Sequence, residues 1–226
     1  MYNHAILALC FASGLAATTF PSDNFFINEY SIGSRGWFLG AITIGPGNDI
    51  WLGLGQGVVK FDGGNFAPRF STDCYIGALT TGSDGALWAY GMYCQFDSAY
   101  DAILRFDSNG DVTRYRWPFP RGSSRTEHVF GLVAMSDGSI WFIDGDSNRI
   151  GRVAEGAVQD FPLPPGSGPI GLTAGPDGAL WFSENGTGRI GRISLSGSLT
   201  EVPLPPGWYP VGIINGPDGA IWFADQ

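Results

Sequence analysis

The sequence predicts an all-β fold, a β-propeller of about five four-stranded blades, and three observations carry that prediction. A turn followed by an aliphatic residue and tryptophan recurs five times: "GPGNDIW" ending at Trp51, "GSDGALW" at Trp88, "MSDGSIW" at Trp141, "GPDGALW" at Trp181 and "GPDGAIW" at Trp222. The period is about 40 residues, with one longer interval between Trp88 and Trp141. Each period divides into four short apolar or alternating runs separated by Gly, Pro or Ser turns. Glycine accounts for 35 of 226 residues and aromatics for 14%, and no helical periodicity runs through the chain.

The fourth unit shows why each strand forms. "PIGLTAG" (169–175) is small and apolar, suited to a crowded inner position. "PDG" then turns the chain: Pro176 sets φ, Asp177 accepts a local hydrogen bond and Gly178 takes a positive φ. "ALWFSE" (179–184) is apolar at consecutive positions, so both of its faces are expected to be buried. "RIGRISL" (189–195) supplies the third strand, and "LTEVPLP" (199–205) alternates as a half-exposed outer strand should. A proline-rich link leads on to the next unit. A four-stranded sheet of this size cannot bury both faces alone, and radial stacking of such sheets solves the problem.

The other units follow the same plan. "VVKF" (58–61), "ILRF" (103–106) and "RIGRV" (149–153) occupy the place of "RIGRI" (189–193). A base recurs there at Lys60, Arg105, Arg152 and Arg192, which reads as a structural contact from blade to blade. Ahead of the first unit, "FFINEYSIG" (25–33) resembles an outer strand able to close the ring by pairing with the last unit. That last unit stops after its second strand. Residues 25–226 are therefore expected to form part of a larger propeller, with a closed five-bladed ring as the competing reading. An open arc would expose blade faces and strand edges.

Net charge is −9 and the pI about 4.5, so the basic surface that a nucleic-acid partner needs is not expected. The N-terminal "MYNHAILALCFASGLAATTF" has an apolar run followed by small residues, as in a secretory signal over residues 1–17, although its start lacks Lys and Arg. The run is too short to span a bilayer. Removing it leaves Cys74 and Cys94, and an exported chain permits a disulfide between them. The two lie at equal distances from Asp84 in the turn of a hairpin, which places them opposite each other. A bridge closing that loop stabilises by roughly 3 kcal/mol. The expected product is a secreted or periplasmic monomer.

The pattern "P-x-G-[IL]-x-x-G-P-D-G-A-[LI]-W-F-x-[ED]" followed by "RIGRI" and "TEVPLP" resembles the virginiamycin B lyase (streptogramin B lyase) family, strongly over 130–226 and loosely over 36–117. The resemblance implies a seven-bladed propeller of which this chain holds a part. It also implies an activity that opens a cyclic depsipeptide ester without water. A general base removes a proton α to a carbonyl, Mg²⁺ stabilises the enolate-like charge and the ester carboxylate leaves. The resemblance places one histidine eleven residues before a blade tryptophan, a glutamate three after it and a second histidine two beyond the glutamate. Those places hold Ile170, Glu184 and Gly186 around Trp181, and Phe130, Asp144 and Asp146 around Trp141. Around Trp222 they hold Val211 and Asp225, and the sequence then stops. No unit carries both histidines. The alternative reading is a non-catalytic propeller that binds a ligand or a protein through its loop face.

Candidate residues follow from both readings. Glu184 and His128 are the candidate catalytic groups, His128 because it lies in the insertion "RGSSRTEHV" just before an inner strand. Asp144, Glu184 and Asp225 occupy one place in three successive units. They read either as a rim for a cation, Mg²⁺ by the resemblance, or as a repeated structural acid that pairs with a neighbouring blade. "DSNGD" (107–111) reads as a plain turn. Tyr90, Tyr93, Phe96 and Tyr100 cluster after Trp88, and Trp208 and Tyr209 stand in "PPGWYP" between blades. Of these, Tyr93, Trp208 and Tyr209 are the candidate ligand-face aromatics, with packing over blade seams as the other explanation.

Overall fold

The computed structural model describes residues 4–8, 25–29, 39–61, 66–95, 101–118, 131–145 and 147–226. Four four-stranded antiparallel sheets follow one another along the chain, and a two-stranded sheet comes after them. Blade I comprises β3 (Leu39–Ile44), β4 (Ile50–Leu54), β5 (Gly57–Phe61) and β6 (Phe66–Ser71). Blade II comprises β7 (Tyr75–Thr81), β8 (Leu87–Met92), β9 (Ala102–Phe106) and β10 (Val112–Arg116). Blade III comprises β11 (Leu132–Ala134), β12 (Ile140–Asp144), β13 (Arg149–Ala154) and β14 (Ala157–Pro162). Blade IV comprises β15 (Pro169–Ala174), β16 (Leu180–Glu184), β17 (Arg189–Ile193) and β18 (Leu199–Pro203), and blade V the hairpin β19 (Pro210–Asn215) and β20 (Ile221–Asp225).

Each blade is a meander in which every strand pairs with the next, the arrangement that the four runs per period require. The turn glycines Gly85, Gly138, Gly178 and Gly219 have φ of 72°, 86°, 75° and 75°, a region open to glycine at little cost. The N-terminal expectation needs correction. β2 (Phe25–Glu29) pairs in parallel with β1 (His4–Ala8) and not with blade V. The outer strand of blade IV is also more exposed than its alternation implies, with only Glu201 drawn inward. Among the described residues, no helix is long and apolar enough to cross a membrane.

The core lies at the seams between blades. One cluster joins Trp51 and Val58 of blade I to Ile76, Leu87 and Phe106 of blade II. A second joins Trp88, Tyr90 and Ile103 to Ile140, Phe142 and Val153 of blade III. A third joins Trp141, Ile143 and Ile150 to Leu172, Leu180 and Phe182 of blade IV. Successive side chains of a strand point to opposite faces, so Leu87 enters the first cluster and Trp88 the second. This is why the second strands of blades I to IV open with consecutive apolar residues. At the two ends of the arc, Ile42 and Ile44 of blade I and Ile214 and Trp222 of blade V are exposed.

Candidate functional site

Each blade has a turn end, at the Asp-Gly turn between its first two strands, and a mouth end, where those strands open again. At the turn end of blade IV, Asp177 accepts from the Trp181 indole N–H at 3.0 Å and from Arg192 Nε at 2.6 Å. The guanidinium lies 5.9 Å from the Trp181 ring centroid, which adds a cation–π contact. Blade II repeats this with Asp84, Trp88 and Arg105. Burial alone would raise the carboxyls of Asp84, Asp137 and Asp177. Their hydrogen bonds and the neighbouring guanidinium outweigh it and hold all three below the ordinary carboxylate range.

The repeated base thus binds the turn of its own blade, which corrects the expectation of a contact between blades. Arg152 does both, since it also donates to the Leu195 carbonyl of blade IV at 3.0 Å. The indole lies so close over the first residue of the turn that a Cβ at Gly175 would fall 2.3 Å from Trp181 Nε1. Blade III carries Met135 there, and the contact changes accordingly. Trp141 Nε1 donates to Ser139 Oγ at 2.8 Å, and Ser139 in turn donates to Asp137 at 2.5 Å. Blade I moves the acid from the third turn position to the fifth, Asp49. Asp49 still binds Lys60 at 2.5 Å, but the buried Trp51 Nε1 is left without an acceptor.

The mouth end holds the acids singled out in the sequence. Asp144 Oδ2 accepts from the Trp117 indole at 2.5 Å, and its Oδ1 accepts from the Ser147 backbone at 3.0 Å. Asp225 accepts from the Tyr209 backbone at 2.6 Å. Both serve as structural acids. Glu184 is fully buried, and its Oε2 accepts from the Thr187 hydroxyl at 3.1 Å while Oε1 has no partner. Glu201 lies beside it, bound through its own Oε2 to Arg189 at 2.8 Å. Burial, and then the Glu201 carboxylate, push the Glu184 carboxyl up to about 7, against the opposing influence of Thr187 and Arg189.

The difference between Asp144 and Glu184 originates in the links between blades. Trp117 N–H bonds Asp101 O, and Leu163 N–H bonds Asn148 O one blade later, so the two residues occupy equivalent places. An indole can donate to the acid of the following blade and a leucine cannot. This partner of Asp144, 27 residues away in the chain, carries no local signal in the sequence.

The arrangement does not fit Mg²⁺, which takes several oxygen ligands at once. Among the described residues, no three Asp, Glu, His or Cys side chains gather around one point. Asp144, Glu184 and Asp225 therefore do not come together as a cation rim. Glu184 is also sealed from any substrate. His128 lies outside the described residues, as do Phe96 and Tyr100. Tyr90, expected in the exposed loop cluster, is buried, with its hydroxyl 2.6 Å from Asp101 and its ring against Phe142. Tyr93, Trp208 and Tyr209 are exposed at the mouth end, together with Tyr75.

Cys74 and Cys94 are joined in a disulfide at the mouth end of blade II. The ladder shifts register between Ile76 and Ala78, so Tyr75 faces Met92 and the bridge closes the sheet just beyond that pair. "DSNGD" is an Asx turn in which Asp107 accepts from the backbones of Asn109 and Asp111.

A profile of the virginiamycin B lyase family matches residues 71–226. Virginiamycin B lyase from Staphylococcus aureus is 32% identical with a TM-score of 0.68, over 83% of this chain and 63% of that one. Its catalytically inactive histidine-to-alanine variant with quinupristin is 30% identical with a TM-score of 0.71, over 86% and 65%. A streptogramin B lyase structure, 22% identical with a TM-score of 0.65 over 87% and 79%, shares the fold. The chain thus spans a little under two thirds of the Staphylococcus aureus lyase. No curated protein matches it.

Proposed function

Because the chain belongs to the virginiamycin B lyase family, we propose that it is a ligand-binding propeller of that family. Its ligand is an apolar, ring-bearing molecule of the cyclic depsipeptide class, taken at the mouth end. One observation carries this reading: the acids of the mouth are sealed or spent on structure, whereas Tyr75, Tyr93, Trp208 and Tyr209 stand exposed there. Exposed aromatic rings offer broad apolar contact with a polar edge, the usual composition of a small-molecule surface. The apolar leader and the Cys74–Cys94 bridge support an exported chain, which works as a monomer.

The second reading is elimination of the ester in such a ligand, favoured by the 30–32% identity to virginiamycin B lyase. Under it His128 takes the proton, since Glu184 has no access to a substrate. Calorimetric titration of the full chain with quinupristin tests the first reading, with saturable binding expected. Absence of heat across the titration contradicts the ligand class.

A further inference from the structure

We infer that Tyr75 and Tyr93 form a stacking subsite for one neutral aryl group of the ligand, held in shape by the Cys74–Cys94 disulfide. The inference rests on the proposed binding at the mouth and names the place where a ring sits.

Tyr75 opens β7 and Tyr93 follows β8, so each is the chain neighbour of a bridged cysteine. Their rings meet edge to face, with centroids 6.4 Å apart and planes at 85°. They are 42% and 44% exposed, while the disulfide beneath them is buried. A third flat ring can stack on the exposed face of such a pair. Tyr93 has φ of 50°, an uncommon conformation for a bulky residue. It is held there from inside: Asp101 accepts from the Tyr93 backbone N–H at 3.3 Å and from the Tyr90 hydroxyl at 2.6 Å. Strain maintained by buried groups while the side chain stays in solvent points to a use for that side chain.

The charges around the pair decide what it selects. Asp101 is engaged as above, and the Asp73 carboxylate is bound by the Arg114 guanidinium. Asp101 is buried beneath the pair, and the exposed surface of the subsite is the two uncharged phenol rings, on which a neutral ring loses least on leaving water.

The test uses the oxidised full chain and 4-fluorobenzamide, read by fluorine NMR line broadening. The parent is expected to broaden the line. The double variant Tyr75→Ala with Tyr93→Gly is expected to bind about tenfold more weakly. Reduction with dithiothreitol is expected to weaken binding similarly while the far-ultraviolet circular dichroism is retained. No broadening by the parent, equal broadening by the double variant, or insensitivity to reduction overturns the subsite. So does a response to a fluorinated glucoside in place of the benzamide. Tyr93→Gly alone is expected to melt at the parent's temperature or above, because glycine accepts this φ without strain. A melting point well below the parent's assigns Tyr93 to the fold and overturns its role in binding. Quinupristin titrated in parallel separates the two readings. A parent that ignores quinupristin but broadens the benzamide line loses the ligand class and keeps the subsite. Quinupristin binding unchanged in the double variant overturns the subsite alone.

Discussion

At the turn end of blades II and IV the same three groups meet in the same way, an aspartate between an indole N–H and a guanidinium, and blade III reaches the same result through Ser139. At the mouth end of blades III and IV, one position carries an acid in two different states. Asp144 is saturated by Trp117 and Ser147, whereas Glu184 faces Glu201 with one oxygen unbonded. The turn end is repeated because every blade must fix its second strand against its third before it can pack on a neighbour. The mouth end is free to vary, since the acid there takes whatever partners the preceding link and its own blade present. Repetition marks the scaffold here, and departure from repetition marks where this chain differs from blade to blade.

The sharpest break in that comparison is Trp141→Ala. This side chain is fully buried, stacks on Phe161 and carries Arg152 over its face. Its loss is expected to cost about 3–5 kcal/mol in urea unfolding. A cost near 1 kcal/mol would mean that the turn end does not hold the blade.

Glu184→Gln comes next. The carboxyl of Glu184 is raised to about 7 in the fold, so the folded state keeps a proton that the unfolded chain releases above its ordinary value of 4.5. Stability from this group is therefore full below about pH 4.5 and falls as pH rises to about 7, by at most about 3 kcal/mol. The glutamine variant is expected to lack that decline and to be the more stable protein at pH 8. The turn-end acids give the opposite sign. Asp84, Asp137 and Asp177 are lowered, so their contribution is present at neutral pH and lost as pH falls below the ordinary carboxylate range. A parent whose stability is flat between pH 5 and pH 8 would contradict the contrast between the two ends.

The smallest effect is Asp177→Asn, expected to cost about 1 kcal/mol by thermal melting, since this ion pair is partly exposed to solvent. A loss as large as that of Trp141→Ala would move the weight of the turn end from packing to charge.

Much of the scaffold can be read from local pattern. "GSDGALW" specifies turn, second strand and buried indole within seven residues, and "RIGRI" places the base that returns to the turn. The mouth cannot be read this way, because its contacts join residues distant in the chain. Trp117 reaches Asp144 across a blade seam, and Glu184 meets Glu201 on a strand that is not its hydrogen-bonding neighbour. Trp51 is misleading for a related reason. Its unit looks regular, yet moving one aspartate from the third turn position to the fifth removes the acceptor of its N–H. Tyr90 and Tyr93 read alike in sequence, yet Tyr90 lies within β8, which is buried on both faces, whereas Tyr93 lies just past its end at a positive φ and is exposed.

The mouth proposed here has acids that support structure and aromatics that bind the ligand. Opening an ester ring by elimination leaves mass unchanged and alters chromatographic retention, so prolonged incubation of the full chain with quinupristin and Mg²⁺, followed by liquid chromatography, tests it most directly. Recovery of the intact ring, alongside saturable binding by calorimetry, is the predicted result. Accumulation of the linear isomer that depends on the protein would contradict it and establish the chain as a lyase.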